Sequence, residues 1–241
     1  GGIGSRFWPY SRHDRPKQFI DVLGTGRSLL QMTYDRFLNL ASKDNILVVT
    51  NDIYGDLVKE QLPDISDDQI LREPNRRNTA PCIAYAAYKI KKRDPDALMI
   101  VTPADHAIFK EGAFELVVNT ALEAAESDDK LITIGIKPNR PETGYGYIQY
   151  LDDTSDNKIK KVKTFTEKPD IDLAKTFLDS GDFVWNAGIF VWSVKSIVSA
   201  FESSLSEIAE IFDHGSESYY EENESEFIKA AYSQSKNISI D

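Results

Sequence analysis

The chain has a single cysteine, Cys82, among 241 residues, which excludes an internal disulfide and a cysteine-built metal cluster. Cys82 itself reads as a small buried residue on a helix. No apolar run approaches the ~20 residues of a membrane-crossing helix, and no export leader is visible. There is no internal repeat and no long linker. Positive charge is short: 39 acidic against 28 basic side chains give a net charge of −11, a surface that repels nucleic acid. The sequence also lacks an initiating methionine and opens inside a glycine motif, so the expectation is a domain truncated at its start, with a strand before Gly1 missing. It stops at Ile240-Asp241 inside what reads as another strand, so truncation is expected at that end too. What remains, 41% hydrophobic and 28% charged, is an ordinary globular composition with ample material for a core.

Charge is unevenly placed. Residues 1–18 carry Arg6, Arg12, Arg15 and Lys17 against Asp14 alone. Gly1, Gly2 and Gly4 lie just ahead of Arg6, and Lys17 follows in Pro16-Lys17-Gln18-Phe19. Glycines let backbone N–H groups approach an anion, and fixed cations neutralise its charge. A solvated basic loop is the plain alternative; the neighbouring glycines favour a polyphosphate site.

Downstream, helical and strand signals alternate. Ser28 can cap a helix to about residue 40, with Leu29, Leu30, Thr33, Phe37 and Leu38 on one face. Residues 45–50, 69–72, 97–102 and 130–136 read as strands. Residues 52–62, 78–93 and 112–127 read as helices, with Pro81 tolerated in a first turn. This alternation implies an α/β fold with a Rossmann-like, mixed but mostly parallel sheet flanked by helices, in which ligands bind beyond the carboxyl ends of strands. After about residue 144 the pattern changes to a smaller β-rich part: strands at 145–150, 158–165 and 183–192, and helices at 171–180, 194–212 and 224–234. The polar, acidic stretch 214–226 reads as an exposed turn or a frayed helix start. The reading is one domain over residues 1–241, its halves meeting near residue 140.

Several side chains stand where chemistry could use them. Asp105 follows a buried strand, where a carboxylate suits Mg²⁺ or caps the next turn. His106 beside it is assigned to hydrogen bonding or packing. Asn78 and Thr79 open a helix, either as caps or as groups that read a base, and a helix N-terminus favours anions. Gly144 and Gly146 permit close approach of a sugar. Glu167 and Asn186 can bond its hydroxyls, and Lys168 can meet a phosphate. A hairpin turn, a strand-end ion pair and a buried polar network are their structural alternatives. Trp185 and Trp192 are placed in the core or a pocket wall.

Six blocks in order resemble the sugar-1-phosphate nucleotidyltransferases, and within them the mannose-1-phosphate guanylyltransferase branch. They are GGIGSRFWPYSRHDRPKQF at the start, Arg72-Glu-Pro-x-x-Arg77-Asn-Thr-Ala80, Thr102-Pro-Ala-Asp105-His106, Thr143-Gly-Tyr-Gly146-Tyr-Ile148, Thr166-Glu-Lys-Pro169 and Trp185-Asn-Ala-Gly188-Ile-Phe190. The resemblance implies transfer of GMP from GTP to α-D-mannose 1-phosphate with Mg²⁺. It implies Arg6, Lys17, Asp105 and Lys168 as the catalytic set and Asp105 as a metal ligand. Nucleotide contacts fall on Gly1, Gly2, Gly4, Ser5, Arg6, Glu73, Asn78, Thr79, Ala80 and Asp105. Sugar contacts fall on Gly144, Gly146, Glu167, Lys168 and Asn186. It further implies a cytoplasmic enzyme whose partners are GTP and mannose 1-phosphate, with neither nucleic acid nor membrane, and for which a homo-oligomer is an allowed assembly. Members of the family have a strand before the glycine loop and continue beyond the 239–241 region into a segment with a further metal-binding aspartate, and some fuse a phosphomannose isomerase domain. Other nucleotidyltransferases, and a non-catalytic nucleotide-sugar sensor on the same fold, are the alternatives.

Overall fold

The computed structural model describes residues 9–152 and 158–241. By packing, these residues form two units. The first combines residues 9–97 with Pro103–Gly112 and Val194–Asp241; the second combines Leu98–Thr102 with Ala113–Ser193.

In the first unit, strands β1 (Val48–Asn51) and β2 (Ile70–Glu73) pair in parallel. Helix α1 (Leu29–Phe37) starts at a full capping box, in which Ser28 accepts from the Gln31 amide and Gln31 reaches back to the Ser28 N–H. The helix stops short of the expected residue 40: residues 38–40 turn away, and Leu38 is exposed rather than on the buried face. Arg36 is buried in its place and pairs with Glu111. Helix α2 (Gly55–Gln61) follows a short 3₁₀ turn. Tyr54, Val58, Leu62 and Ile65 pack with Phe19, Leu30 and Ile70 into one apolar cluster. Helix α3 (Thr79–Arg93) buries an alanine-rich face and carries Cys82, whose thiol burial pushes up to about 12.

The long helix expected at 194–212 is two helices, α6 (Val194–Ser204) and α7 (Ser206–Asp213), because Leu205 leaves the helical conformation between them. Before α8 (Glu224–Gln234), the acidic stretch is not simply exposed. Its Tyr219 is buried and donates to the Phe212 carbonyl at 2.7 Å. Glu224 pairs with the buried Lys89 of α3 at 2.7 Å.

The second unit is a five-stranded antiparallel sheet. It comprises β3 (Leu98–Val101), β4 (Ile132–Ile136), β5 (Tyr147–Tyr150), β6 (Val162–Thr166) and β7 (Phe183–Ser193). The α/β class holds, but among the described residues parallel pairing is confined to β1 and β2. The expected smaller β layer is also not separate, since β5 and β6 join the same sheet as β3 and β4.

The reason is β7. Its odd-numbered residues from Phe183 to Val191 are buried, a clean period of two. Helix α4 (Glu111–Ser127), which begins in the first unit, covers its later part through Ala121 and Ala125. Helix α5 (Ile171–Ser180), capped by Asp170, covers its earlier part through Ala174 and Phe177. Both edges of β7 are used. Val191 pairs with Ile100 and with Ile132, and Trp185 pairs with Tyr147 and with Ile136. Thus β4 runs along one edge, while β3 and β5 share the other at its two ends. Between Phe190, opposite Val101, and Trp185, opposite Tyr147, that edge is unpaired by strand. The loop entering β5 faces this gap, where the Gly146 carbonyl meets the Asn186 amide.

Candidate functional site

The expected site residues fall into two clusters, one in each unit. Gly1, Gly2, Gly4, Ser5 and Arg6 lie outside the described residues.

In the first unit, Lys17 opens a short 3₁₀ turn after Pro16. Its ammonium donates to the Asp105 carbonyl at 3.1 Å and lies 3.5 Å from the Asp105 carboxylate. That carboxylate is 40% exposed, and Lys17 is 23% exposed. The strand-end aspartate and the cation from the basic segment, 88 residues apart, therefore share one place. His106 beside them is held below its usual range, chiefly by burial, and so stays a neutral donor or acceptor near neutrality.

The donor set can be tested against a metal. Among the described residues no group of three acidic, histidine or cysteine side chains converges on one point. A closed protein cage is therefore not built here. Mg²⁺, however, commonly takes one or two carboxylates and completes its shell with waters and substrate phosphates. A partly exposed carboxylate beside a phosphate-seeking ammonium fits that kind of site.

The block from Arg72 to Ala80 is held tightly. Asn78 stands at φ +66° and ψ −161°, a backbone region that residues other than glycine rarely enter, and its Oδ1 accepts from the Thr79 amide. The Thr79 hydroxyl accepts from the Ile240 amide at 2.9 Å and lies 3.2 Å from the Ser239 hydroxyl. The buried Ala80 donates its N–H to the Ile238 carbonyl at 3.1 Å. Arg77 donates to the Tyr232 carbonyl and Arg76 to the Tyr54 hydroxyl, so neither is merely solvated. Glu73 is 4% exposed, and its carboxylate accepts from the Tyr232 hydroxyl at 3.0 Å. Burial raises its pKa. It anchors the strand end from within.

In the second unit, Gly144, Gly146, Glu167, Lys168 and Asn186 come together at the gap along β7. The Gly146 carbonyl accepts from the Asn186 amide at 2.8 Å. A Cβ on Gly146 would stand 2.8 Å from a Glu167 carboxylate oxygen and from the Phe165 ring, so a side chain there would displace one or both of these groups. Lys168 sits at φ +44° and pairs with Glu167 at 2.7 Å; both side chains are more than half exposed. Asn186 Oδ1 accepts from the Gly188 amide at 2.9 Å and from the Thr133 hydroxyl of β4 at 3.3 Å, which fixes the side chain on β7. Trp185 and Trp192 are buried in the sheet's packing, as expected. Sequence reading missed Glu142, which accepts from the Gly144 amide at 3.0 Å. Its signal was its place two residues before Gly144.

The nucleotidyl transferase family profile matches residues 1–231. The chain belongs to that family. The Xanthomonas campestris xanthan biosynthesis protein XanB is 43% identical over 190 residues, covering 78% of this chain and 39% of the relative. An Escherichia coli mannose-1-phosphate guanylyltransferase is 40% identical over 195 residues, covering 78% and 41%. The chain thus spans about two fifths of the length of these curated relatives. A solved Thermus thermophilus structure, described as a mannose-1-phosphate geranyltransferase, superposes with a TM-score of 0.88 at 29% identity, covering 100% of this chain and 67% of that one. No described helix is long and apolar enough to cross a membrane.

Proposed function

We propose that this nucleotidyl transferase moves GMP from GTP to α-D-mannose 1-phosphate, giving GDP-mannose and pyrophosphate. What supports the reading most directly is the 40% identity over 195 residues with the E. coli mannose-1-phosphate guanylyltransferase. The pairing of Lys17 with Asp105 supports it chemically.

A sugar-phosphate oxygen attacks the α-phosphorus of GTP in line. The new P–O bond forms as the α–β anhydride bond breaks, and pyrophosphate departs with its electron pair. Such transfer needs alignment and charge neutralisation more than covalent help. Gly1, Gly2, Gly4 and Ser5 wrap the phosphates. Arg6, as a bidentate fork, and Lys17, as a point charge, stabilise the departing pyrophosphate. Asp105 would hold Mg²⁺, which when bound offsets phosphate charge. Asn78, Thr79 and Ala80 line the nucleotide, with Glu73 bracing the strand behind them. Lys168 meets the sugar phosphate, while Glu167 and Asn186 orient the hydroxyls beside Gly144 and Gly146. The nucleotide contacts lie before about residue 140 and the sugar contacts after it, although packing groups Val194–Asp241 with the first unit. A cytoplasmic setting goes with these substrates.

A matrix of nucleoside triphosphates against sugar 1-phosphates, read by pyrophosphate release, tests the assignment. The expected best pair is GTP with mannose 1-phosphate. Faster turnover of dTTP with glucose 1-phosphate sinks it, and tight GDP-mannose binding without turnover points to a sensor.

A further inference from the structure

The segment between β4 and β5 is held by a relay of side chains that do not themselves face a ligand. Arg140 donates through Nε and Nη2 to one oxygen of Glu142, at 3.2 and 3.0 Å. The other oxygen accepts from the Gly144 N–H at 3.0 Å. The Glu142 N–H donates in turn to the hydroxyl of Tyr147, a fully buried side chain, at 2.9 Å. The Arg140 guanidinium lies 5.2 Å above the buried Trp185 ring, which Tyr145 meets edge-on at 5.3 Å. One carboxylate therefore joins the cation over Trp185 to the backbone of the glycine loop.

Glycine has the widest backbone freedom of any residue, so a loop with two of them has more conformational entropy to lose when it is ordered. Fixing Gly144 before a ligand arrives removes an ordering cost from binding. Global stability has little need of this relay. Arg140 is 54% and Glu142 28% exposed, and ion pairs at such positions add little to folding. The Gly144 N–H, followed by Arg140, holds the Glu142 carboxyl below its ordinary range, so it remains the anionic partner throughout the neutral range.

We propose that Glu142, anchored by Arg140 over Trp185, is the positioning residue that presets the glycine loop at 144–146 for the sugar 1-phosphate. This rests on the reading of that loop as the sugar site. Glu142 acts through Gly144 and not by touching substrate.

The test compares Glu142→Ala, Glu142→Gln and Arg140→Met in the full chain. In Glu142→Ala, amide exchange of the peptide containing Gly144 should accelerate about tenfold while the melting temperature stays near wild type. The KM for mannose 1-phosphate should rise about tenfold with that for GTP within about twofold, the loss expected for one charge-assisted hydrogen bond. Glu142→Gln keeps an acceptor for Gly144 and should show a smaller rise in both readouts. Arg140→Met keeps an unbranched stem against Trp185 and should loosen the loop to an intermediate degree. Unchanged exchange at Gly144, or equal rises in both KM values, overturns the proposal. So does global unfolding of both Glu142→Ala and Arg140→Met, which would make the relay a support of the fold. A wild-type chain that does not turn over mannose 1-phosphate with GTP removes the functional reading, while the exchange measurement still decides the role of Glu142.

Discussion

Lys17 and Asp105 are the core of the proposed phosphate-transfer centre at the scale of residues. A flexible ammonium and one carboxylate stand 3.5 Å apart, both partly open to water. In the proposed reaction the ammonium meets phosphate charge as pyrophosphate leaves. Lys17→Ala should therefore lower turnover by about 10²–10³-fold, the size of effect seen when a single preorganised charge-stabilising donor is removed. Its thermal unfolding should hardly change, and an unchanged rate would take Lys17 out of the mechanism. Asp105→Asn keeps shape and polarity but loses the charge that a hard cation seeks. A titration of rate against Mg²⁺ should show loss of Mg²⁺-dependent activity; full activity at ordinary Mg²⁺ would overturn the role.

Among elements, the contact between α3 and α8 is the most exacting. The side chains of Lys89 and Glu224 are 4% and 12% exposed and bond at 2.7 Å. The Tyr85 hydroxyl and the Tyr220 N–H complete the Glu224 carboxylate. Breaking such a pair strands a buried charge, so Glu224→Ala should cost about 3–5 kcal/mol of stability. Urea unfolding measures this, and a loss below about 1 kcal/mol, the ceiling for an exposed pair, would show the pair to be solvated. This contact also marks what a sequence reveals. Helix α1 was legible because Ser28 stands as a cap before an apolar face; the structure adds Gln31 to that cap and shows Asp170 capping α5. The acidic stretch before α8 hid its buried Tyr219 and the largely covered Glu224, because the ion-pair partner of Glu224, Lys89, sits on a helix far away in sequence. Strand positions were legible from apolar runs, but their directions were not. Parallel and antiparallel pairing demand similar residues when helices cover the sheet, and only β7 in place decides. The proposed sugar cluster rests on glycines and motifs visible in the sequence; Glu142 was not singled out, since a glutamate in a polar loop looks like any other and its bond to the Gly144 amide shows only in the fold.

As a whole, the molecule interleaves its two packing units along the chain. The second unit takes Leu98–Thr102 from within a stretch that otherwise belongs to the first. Leu98 and Ile100 from that short segment pack against Ala121, Ala125 and Val191. A fragment of residues 113–193 should therefore lack a cooperative thermal transition by circular dichroism, and a sharp two-state transition would show that β3 is dispensable. The arrangement of β7 has an effect of a different kind. One strand serves as a ruler for two neighbours on the same edge, with Asn186 and Gly188 at the stretch between them. A changed side chain there alters chemistry locally. An added or deleted residue shifts the count between Trp185 and Phe190, so that β3 and β5 can no longer both stay in register and every later side chain changes face. Variation in what this site accepts is thus channelled into substitution, while length in this stretch is fixed by arithmetic.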